Sequence, residues 1–147
     1  KENNIKFSKD ILHQSKLINY FNGDYSKSKI EKDIDNFLTK IKKNKKYFFS
    51  KKDQIFLESL KADGIQISKK YDNLYEINDF EVPTDIQVMI NNDEKAMALL
   101  RIVEVIGPDD IEKIDEDTIY FIINTLNQLN IDFIRNKILF KILPLKV

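Results

Sequence analysis

Apolar residues recur at helical spacing along most of the chain, and each such stretch ends at a polar or glycine-containing break. In 28–43, for example, Ile30, Ile34, Leu38 and Ile41 fall on one face of a helix. The pattern predicts helices over 8–21, 28–43, 51–63, a short stretch after Pro83, 94–106, 118–129 and 133–143. Because the links between them are short, neighbouring helices are expected to run antiparallel.

Capping residues support these boundaries. Ser50 followed by Asp53 is an acidic variant of the capping box. The other predicted amino-terminal caps are Ser8, Asn92 or Asp93, Asp115 or Asp117, and Asp132. All three glycines, Gly23, Gly64 and Gly107, follow a predicted helix end and are explained as carboxyl-terminal caps. None then remains for a phosphate-binding loop.

The stretches 94–106 and 65–78 each lead to a separate structural prediction. The helix 94–106 is apolar on nearly every side, which predicts a buried central helix. The stretch 65–78 changes to shorter apolar runs around a polar "SKKYDN", which favours a small β-hairpin or an extended excursion.

The predicted fold class is therefore mainly α, built from short antiparallel helix pairs as an α-solenoid-like array or an irregular bundle. A length of 147 residues fits one helical domain over 1–147, with 1–79 and 80–147 as a candidate subdivision. Since the sequence begins at Lys1 rather than methionine, we expect a processed protein or a fragment of a longer chain.

The run "ALLRIVEVIGPDD…IDEDTIYFIINTLNQLNIDFIRNKILFKILPLKV" resembles the carboxyl end of larger, uncharacterised bacterial helical-repeat proteins. The resemblance covers about residues 96–147 and rests on core positions. It implies a scaffold role and brings no catalytic residue with it.

Charge is balanced overall but unevenly placed. Residues 1–79 hold 17 lysines and 12 acidic residues, whereas 80–147 hold 7 basic and 12 acidic residues. A net charge of zero argues against a dedicated polyanion binder. No apolar run approaches the length of a membrane span. The absence of cysteine and of an initiator methionine leaves the compartment open, an extracytoplasmic one included.

The basic pole lies in "KIKKNKKYFFSKK", residues 40–52, around an aromatic triplet. Its candidate interaction surface consists of Lys40, Lys42, Lys43, Lys45, Lys46, Lys51 and Lys52. Lysines that contact phosphates and aromatics that stack on bases would make a nucleic-acid site, with 51–63 and the hairpin as a winged helix. Alternatively, the stretch joins two helices, with Phe48 and Phe49 turned inward, and this second interpretation is favoured.

The acidic pole lies in "PDDIEKIDED", residues 108–117. Its candidate interaction surface consists of Asp109, Asp110, Glu112, Asp115, Glu116 and Asp117. The stretch has the oxygens of a Ca²⁺ site but lacks the spacing and glycine of an EF-hand loop. Acids at a helix amino terminus are the simpler explanation, so no metal site is predicted.

Catalytic groups are scarce. His13 is the single histidine and is expected to be a solvated surface residue. We therefore expect no enzyme and no cofactor. The favoured function is a non-catalytic helical module for protein–protein interaction or self-assembly, and nucleic-acid binding is the alternative. If the two poles lie at opposite ends, copies could associate head to tail; if they lie together, they offset each other within one molecule.

Overall fold

The computed structural model describes residues 11–23, 25–74, 84–107 and 111–143. The α-helices in this part are α1 (Lys27–Lys43), α2 (Lys51–Ala62), α3 (Thr84–Asn91), α4 (Lys95–Ile106), α5 (Glu116–Gln128) and α6 (Asp132–Ile142). Short 3-10 segments lie at Leu12–Gln14, Lys16–Asn22, Lys69–Leu74 and Ile111–Lys113. The described residues contain no β-strand, so the mainly α prediction is confirmed.

The first predicted helix is wrong as an α-helix within the described residues. Leu12–Gln14 and Lys16–Asn22 are two 3-10 segments, separated by Ser15 in an extended conformation. The Ser15 hydroxyl accepts a hydrogen bond from the Leu17 backbone N–H, a local contact that competes with regular helix. We call Leu12–Asn22 the amino-terminal segment. Ser8 lies outside the described residues.

Helix α2 begins as predicted. The Ser50 hydroxyl accepts from the Asp53 N–H at 3.1 Å, and the Asp53 carboxylate accepts from the Ser50 N–H at 3.2 Å, which closes the capping box. The helix ends before Gly64, whose φ of 84° is the left-handed conformation that favours glycine. These signals were sufficient to predict both ends of α2 because each involves residues close together in sequence.

Of the other predicted helix caps, one is confirmed and several are wrong. Asp115 caps α5 through the Thr118 N–H at 3.0 Å, as predicted. Helix α1 starts after Ser26 rather than at Ser28. The predicted caps Asn92, Asp93 and Asp132 are wrong. Glu94 and Ile131 occupy those capping positions, with no side-chain cap, and Asp132 is the first residue of α6.

The centre of the core lies between α2 and α5, which pack against each other. Phe56 and Leu60 of α2 and Ile122 and Leu126 of α5 are fully buried there. Helix α1 adds an apolar stripe, Ile30, Ile34, Leu38 and Ile41. Because α2 belongs to residues 1–79 and α5 to residues 80–147, this contact joins the two parts of the candidate subdivision.

The predicted burial of the helix 94–106 is wrong. Among the residues of α4, only Ala98 and Ile102 are buried, and the helix packs mainly against α3. The central position is taken by α2, whose residues from Asp53 to Leu57 are all buried. Met97, Leu100, Val103 and Val105 of α4 therefore reach solvent.

The predicted β-hairpin is not found in the described part of 65–78. Residues 65–68 are irregular, and Lys69–Leu74 forms a 3-10 segment. Its Tyr71 is buried, and the Tyr71 hydroxyl donates to the Asp35 carboxylate at 2.8 Å, which holds the segment on α1. Residues 75–78, the rest of the predicted hairpin, lie outside the described residues.

None of the helices in the described part of the chain is long and apolar enough to cross a membrane.

Candidate functional site

A buried carboxylate, Asp53, ties the amino-terminal segment to α2. Asp53 Oδ1 accepts from the His13 backbone N–H at 2.8 Å and lies 2.9 Å from His13 Nδ1. Asp53 Oδ2 accepts from the Tyr47 hydroxyl at 2.9 Å and from the Ser50 N–H. The side chain is fully buried, so these donors replace its hydration.

The same donors set the charge state of Asp53. Burial raises the pKa of this carboxyl, but hydrogen bonds from the His13 side chain and backbone, Tyr47 and Ser50 outweigh burial. The pKa of Asp53 therefore lies below its usual value. Asp53 is a carboxylate at neutral pH.

His13 is not the solvated surface residue that the sequence predicts. Its side chain is 16% exposed and pairs with Asp53. Since a carboxylate only accepts hydrogen bonds, His13 Nδ1 carries a proton, and Nε2 is left for any further contact.

His13 also lines a cleft of about 490 Å³. The cleft lies between the amino-terminal segment, α2, the 3-10 segment Ile111–Lys113, the start of α5 and the end of α6. Its apolar lining residues are Ile55, Ile111, Ile114, Ile119, Ile142 and Leu143. Its polar lining residues are His13, Gln14, Lys52, Glu112, Asp115, Glu116 and Lys141.

The basic segment is divided between two places. Lys40, Lys42 and Lys43 occupy the last turn of α1, as predicted, and Lys45 and Lys46 are exposed in the link that follows. Lys51 and Lys52 open α2 and are partly buried.

The aromatic residues of this segment are only partly inward. Phe49 and Tyr47 pack on the core, and their ring centroids lie 6.3 Å apart. Phe48 is 81% exposed, so its predicted inward position is wrong.

The acidic segment lies at the start of α5, on the same side of the molecule as the start of α2. Lys51 Nζ is 3.6 Å from Asp117 Oδ1, and Lys52 lines the cleft with Glu112 and Glu116. The two poles thus meet within one molecule at this point. Asp109 and Asp110 lie outside the described residues, and the described residues contain no cluster of metal-ligating side chains.

A second buried ionic group, at the other end of α2, was not predicted. Arg135 of α6 is fully buried, and its Nη2 donates to Asp63 Oδ2 at 2.9 Å. Its Nη1 lies 2.7 Å from Asp63 Oδ1 and donates to Asn127 Oδ1 at 3.1 Å. The Tyr20 hydroxyl donates to the same Asp63 carboxylate at 3.1 Å. This group joins α2, α5, α6 and the amino-terminal segment.

The raised pKa of Tyr20 predicts a loss of stability at alkaline pH. Burial, followed by the Asp63 carboxylate, raises the pKa of Tyr20 to about 12 from a usual value of 10.0. Because the folded-state pKa is raised, Tyr20 contributes stability that is complete below pH 10 and is lost as pH rises toward 12. Urea unfolding at a series of alkaline pH values should show this loss. Tyr20→Phe has no hydroxyl, so its free energy of unfolding should fall less as pH rises from 10 to 12. An equal fall in the variant and in wild type would contradict the role given to Tyr20.

The exposed side of α4 forms an apolar face, which we define as Met97, Leu100 and Val103. These side chains are 51%, 60% and 64% exposed. At the edge of this α4 face, Arg101 Nη1 donates to Glu104 Oε2 at 2.9 Å. Contiguous exposed apolar side chains with a polar edge are typical of protein-binding surfaces.

Comparison with known proteins identified no matching family model, no matching curated protein and no matching solved structure.

Proposed function

We propose that the chain is a non-catalytic helical interaction module, and that its α4 face binds a second copy of the same chain. The carrying observation is the exposure of Leu100 and Val103, each more than half accessible, on a helix in which only Ala98 and Ile102 are buried. Burial of apolar surface contributes about 25 cal/mol per Å², so covering this face gives a substantial driving force.

Charge supports a second copy as the occupant. The chain has no formal net charge, so two copies approach without long-range repulsion. Arg101 and Glu104 lie beside the α4 face and pair with each other within one copy. In a two-fold antiparallel pairing of α4 helices each would also lie near its opposite on the other copy, so the pairing adds no like-charge contact there. A contact of one helix on another is at the small end of stable interfaces, so the dimer should be concentration-dependent.

The head-to-tail alternative, through the basic and acidic segments, has less support. Lys51 is held by Asp117 at 3.6 Å and lies over the Tyr120 ring at 4.9 Å within one molecule. The poles therefore offset each other at this point rather than leaving both charges for another copy.

Self-association through the α4 face predicts a specific response to Leu100→Glu. Wild type should sediment as a monomer–dimer equilibrium, and the variant should raise the dissociation constant by at least about 30-fold. The reason is that a carboxylate without a partner would be buried at the contact. Sedimentation velocity over a concentration series measures the dissociation constants of wild type and of the variant.

Phe133→Glu is the matched control, since Phe133 is a 71% exposed apolar residue on α6 rather than α4. It should leave the dissociation constant unchanged. A wild type that stays monomeric at every concentration, or equal effects of both variants, would contradict the proposal.

Nucleic-acid binding remains a second candidate because of Phe48. This ring is 81% exposed between lysine pairs and could stack on a base. This candidate requires a mobility shift with a single-stranded oligonucleotide at low salt that weakens steeply as salt rises.

A further inference from the structure

The carboxyl end of α1 and the 3-10 segment Lys69–Leu74 lie side by side, which puts two lysine-rich stretches together. Lys42 Nζ donates to the Lys70 backbone carbonyl at 2.8 Å. Earlier on α1, the Thr39 hydroxyl lies 2.7 Å from the hydroxyl of Tyr71, whose side chain is buried. Lys42 and Lys70 are 28 residues apart in sequence, so it is the fold that brings the two stretches together.

We define the basic surface as the exposed lysines of these two stretches and of the link that follows α1. They are Lys42, Lys43, Lys45, Lys46, Lys69 and Lys70. Two acidic residues accompany them: Asp35, which lies 3.6 Å from Lys70 Nζ, and Asp72 of the 3-10 segment. Six lysines against two carboxylates leave a clear local excess of positive charge. The basic surface therefore attracts anions although the chain as a whole is neutral.

Four of these lysines are available to a ligand. Lys42 is held by the Lys70 carbonyl, and Lys70 Nζ lies near Asp35 and 4.8 Å from the centre of the Tyr71 ring. The other four form no ion pair with a described residue; they are Lys43, Lys45, Lys46 and Lys69. Their charges are not neutralised within the described part of the chain.

The link after α1 presents an aromatic ring beside these lysines. Two hydrogen bonds to Asn44 order the link: its carbonyl accepts from the Tyr47 N–H at 3.0 Å, and its side-chain oxygen accepts from the Lys46 N–H at 3.1 Å. Tyr47 and Phe49 pack on the core. Because both of its neighbours face inward, the Phe48 ring is held in solvent, 81% exposed. A ring fixed beside unpaired cations is suited to stacking on a base.

From this arrangement we propose that the basic surface and Phe48 bind single-stranded nucleic acid, with the lysines on the phosphates and the ring stacked on an unpaired base. The inference rests on the second candidate function, for which it supplies the site and the type of strand, and is independent of the α4 face. The bases of a duplex are stacked on each other and cannot use Phe48. An anionic membrane fits less well, because a single phenylalanine buries little apolar area in a bilayer.

Fluorescence anisotropy with a labelled oligothymidine of about 20 nucleotides tests the class of ligand. Binding should be saturable at about 50 mM salt and about 50-fold weaker at about 200 mM, the fall expected for about four phosphate contacts to a single strand. The same strand paired with oligodeoxyadenosine should bind more weakly than the free strand.

Three results would overturn the inference. Absence of binding to the free strand at low salt would remove it together with the second candidate function. Equal or tighter binding of the duplex would remove only the assignment to single strands. Binding to phosphatidylglycerol vesicles by a protein that leaves the strand unbound would assign the basic surface to a membrane instead.

Lys69→Gln tests whether the 3-10 segment belongs to the site. It should weaken strand binding by about fivefold and make the dependence of log K on log salt shallower by about 0.7, as for the loss of one phosphate contact. Lys32→Gln is the matched control, since Lys32 is exposed on α1 outside the basic surface; its affinity should equal wild type. Equal affinities of the two variants would place the site elsewhere, while nucleic-acid binding itself would stand.

Phe48→Ala tests the stacked ring. It should weaken binding of the single strand by about tenfold, without changing the salt dependence or the affinity for the duplex. Phe133→Ala is the matched control, since Phe133 is 71% exposed on α6. All four replaced side chains are exposed, so the variants should fold, which far-UV circular dichroism checks. Single-strand binding by Phe48→Ala as tight as that of Phe133→Ala would show that the ring is not part of the site.

Discussion

Replacing Arg135 with alanine is expected to lower the free energy of unfolding by about 3–5 kcal/mol. The guanidinium is fully buried, so its removal leaves the Asp63 carboxylate and the Asn127 amide without their partner in a mostly dry environment. Arg135 also lies over the Phe21 ring, with 5.6 Å from Cζ to the ring centroid, and that packing is lost too. Urea denaturation followed by far-UV circular dichroism measures the change.

The chain supplies its own control, because Arg101 is the second of its two arginines. Arg101 is exposed and pairs with Asp85 and Glu104 at the surface of α3 and α4. Arg101→Ala should cost less than about 1 kcal/mol. Similar losses for the two arginines would show that burial of the Arg135–Asp63 pair is not the source of its importance.

Replacing Asp53 with alanine is expected to lower the free energy of unfolding by about 3–4 kcal/mol. One part is the lost helix cap, which contributes about 1 kcal/mol. The rest comes from donors left without an acceptor: the His13 backbone N–H, the His13 ring and the Tyr47 hydroxyl. The same urea measurement applies.

Asp115→Ala is the control for this variant, because Asp115 also caps a helix but is exposed. It should cost about 1 kcal/mol. Wild type should also lose stability as pH falls through the lowered pKa of Asp53, because a depressed carboxyl pKa stabilises only while the group is ionised. An acid transition in Asp53→Ala identical to that of wild type would argue against the role given to this carboxylate.

Helix boundaries were predictable where the signal is local. Ser50, Asp53 and Gly64 define both ends of α2 within a few residues, and the structure has the helix there. The amino-terminal segment was mispredicted because the apolar positions Leu12, Leu17 and Phe21 do not report the extended conformation at Ser15.

Which helix lies at the centre was not predictable from apolar content. Helix α2 carries Asp53, Gln54 and Ser59 in fully or nearly fully buried positions, since each side chain has a hydrogen-bond partner. Helix α4 has a more apolar sequence but lies against α3 at the side. The pattern of one helix does not identify its neighbours, and the neighbours decide burial.

The buried ionic groups could not be predicted from the sequence, because their members come from different elements. His13 and Asp53 are 40 residues apart, and Asp63 and Arg135 are 72 residues apart. Nothing in a single sequence pairs them. The one available signal was the rarity of arginine, which occurs only at Arg101 and Arg135.

The side position of the α3–α4 pair has a consequence for how this protein can diverge. Helices α2 and α5 pack directly on each other although α3 and α4 lie between them in sequence. Substitutions at Leu100 or Val103 therefore change the exposed surface of the molecule without opening a cavity between α2 and α5. Related chains could keep one interior and acquire new binding preferences by changing a few codons in a single helix.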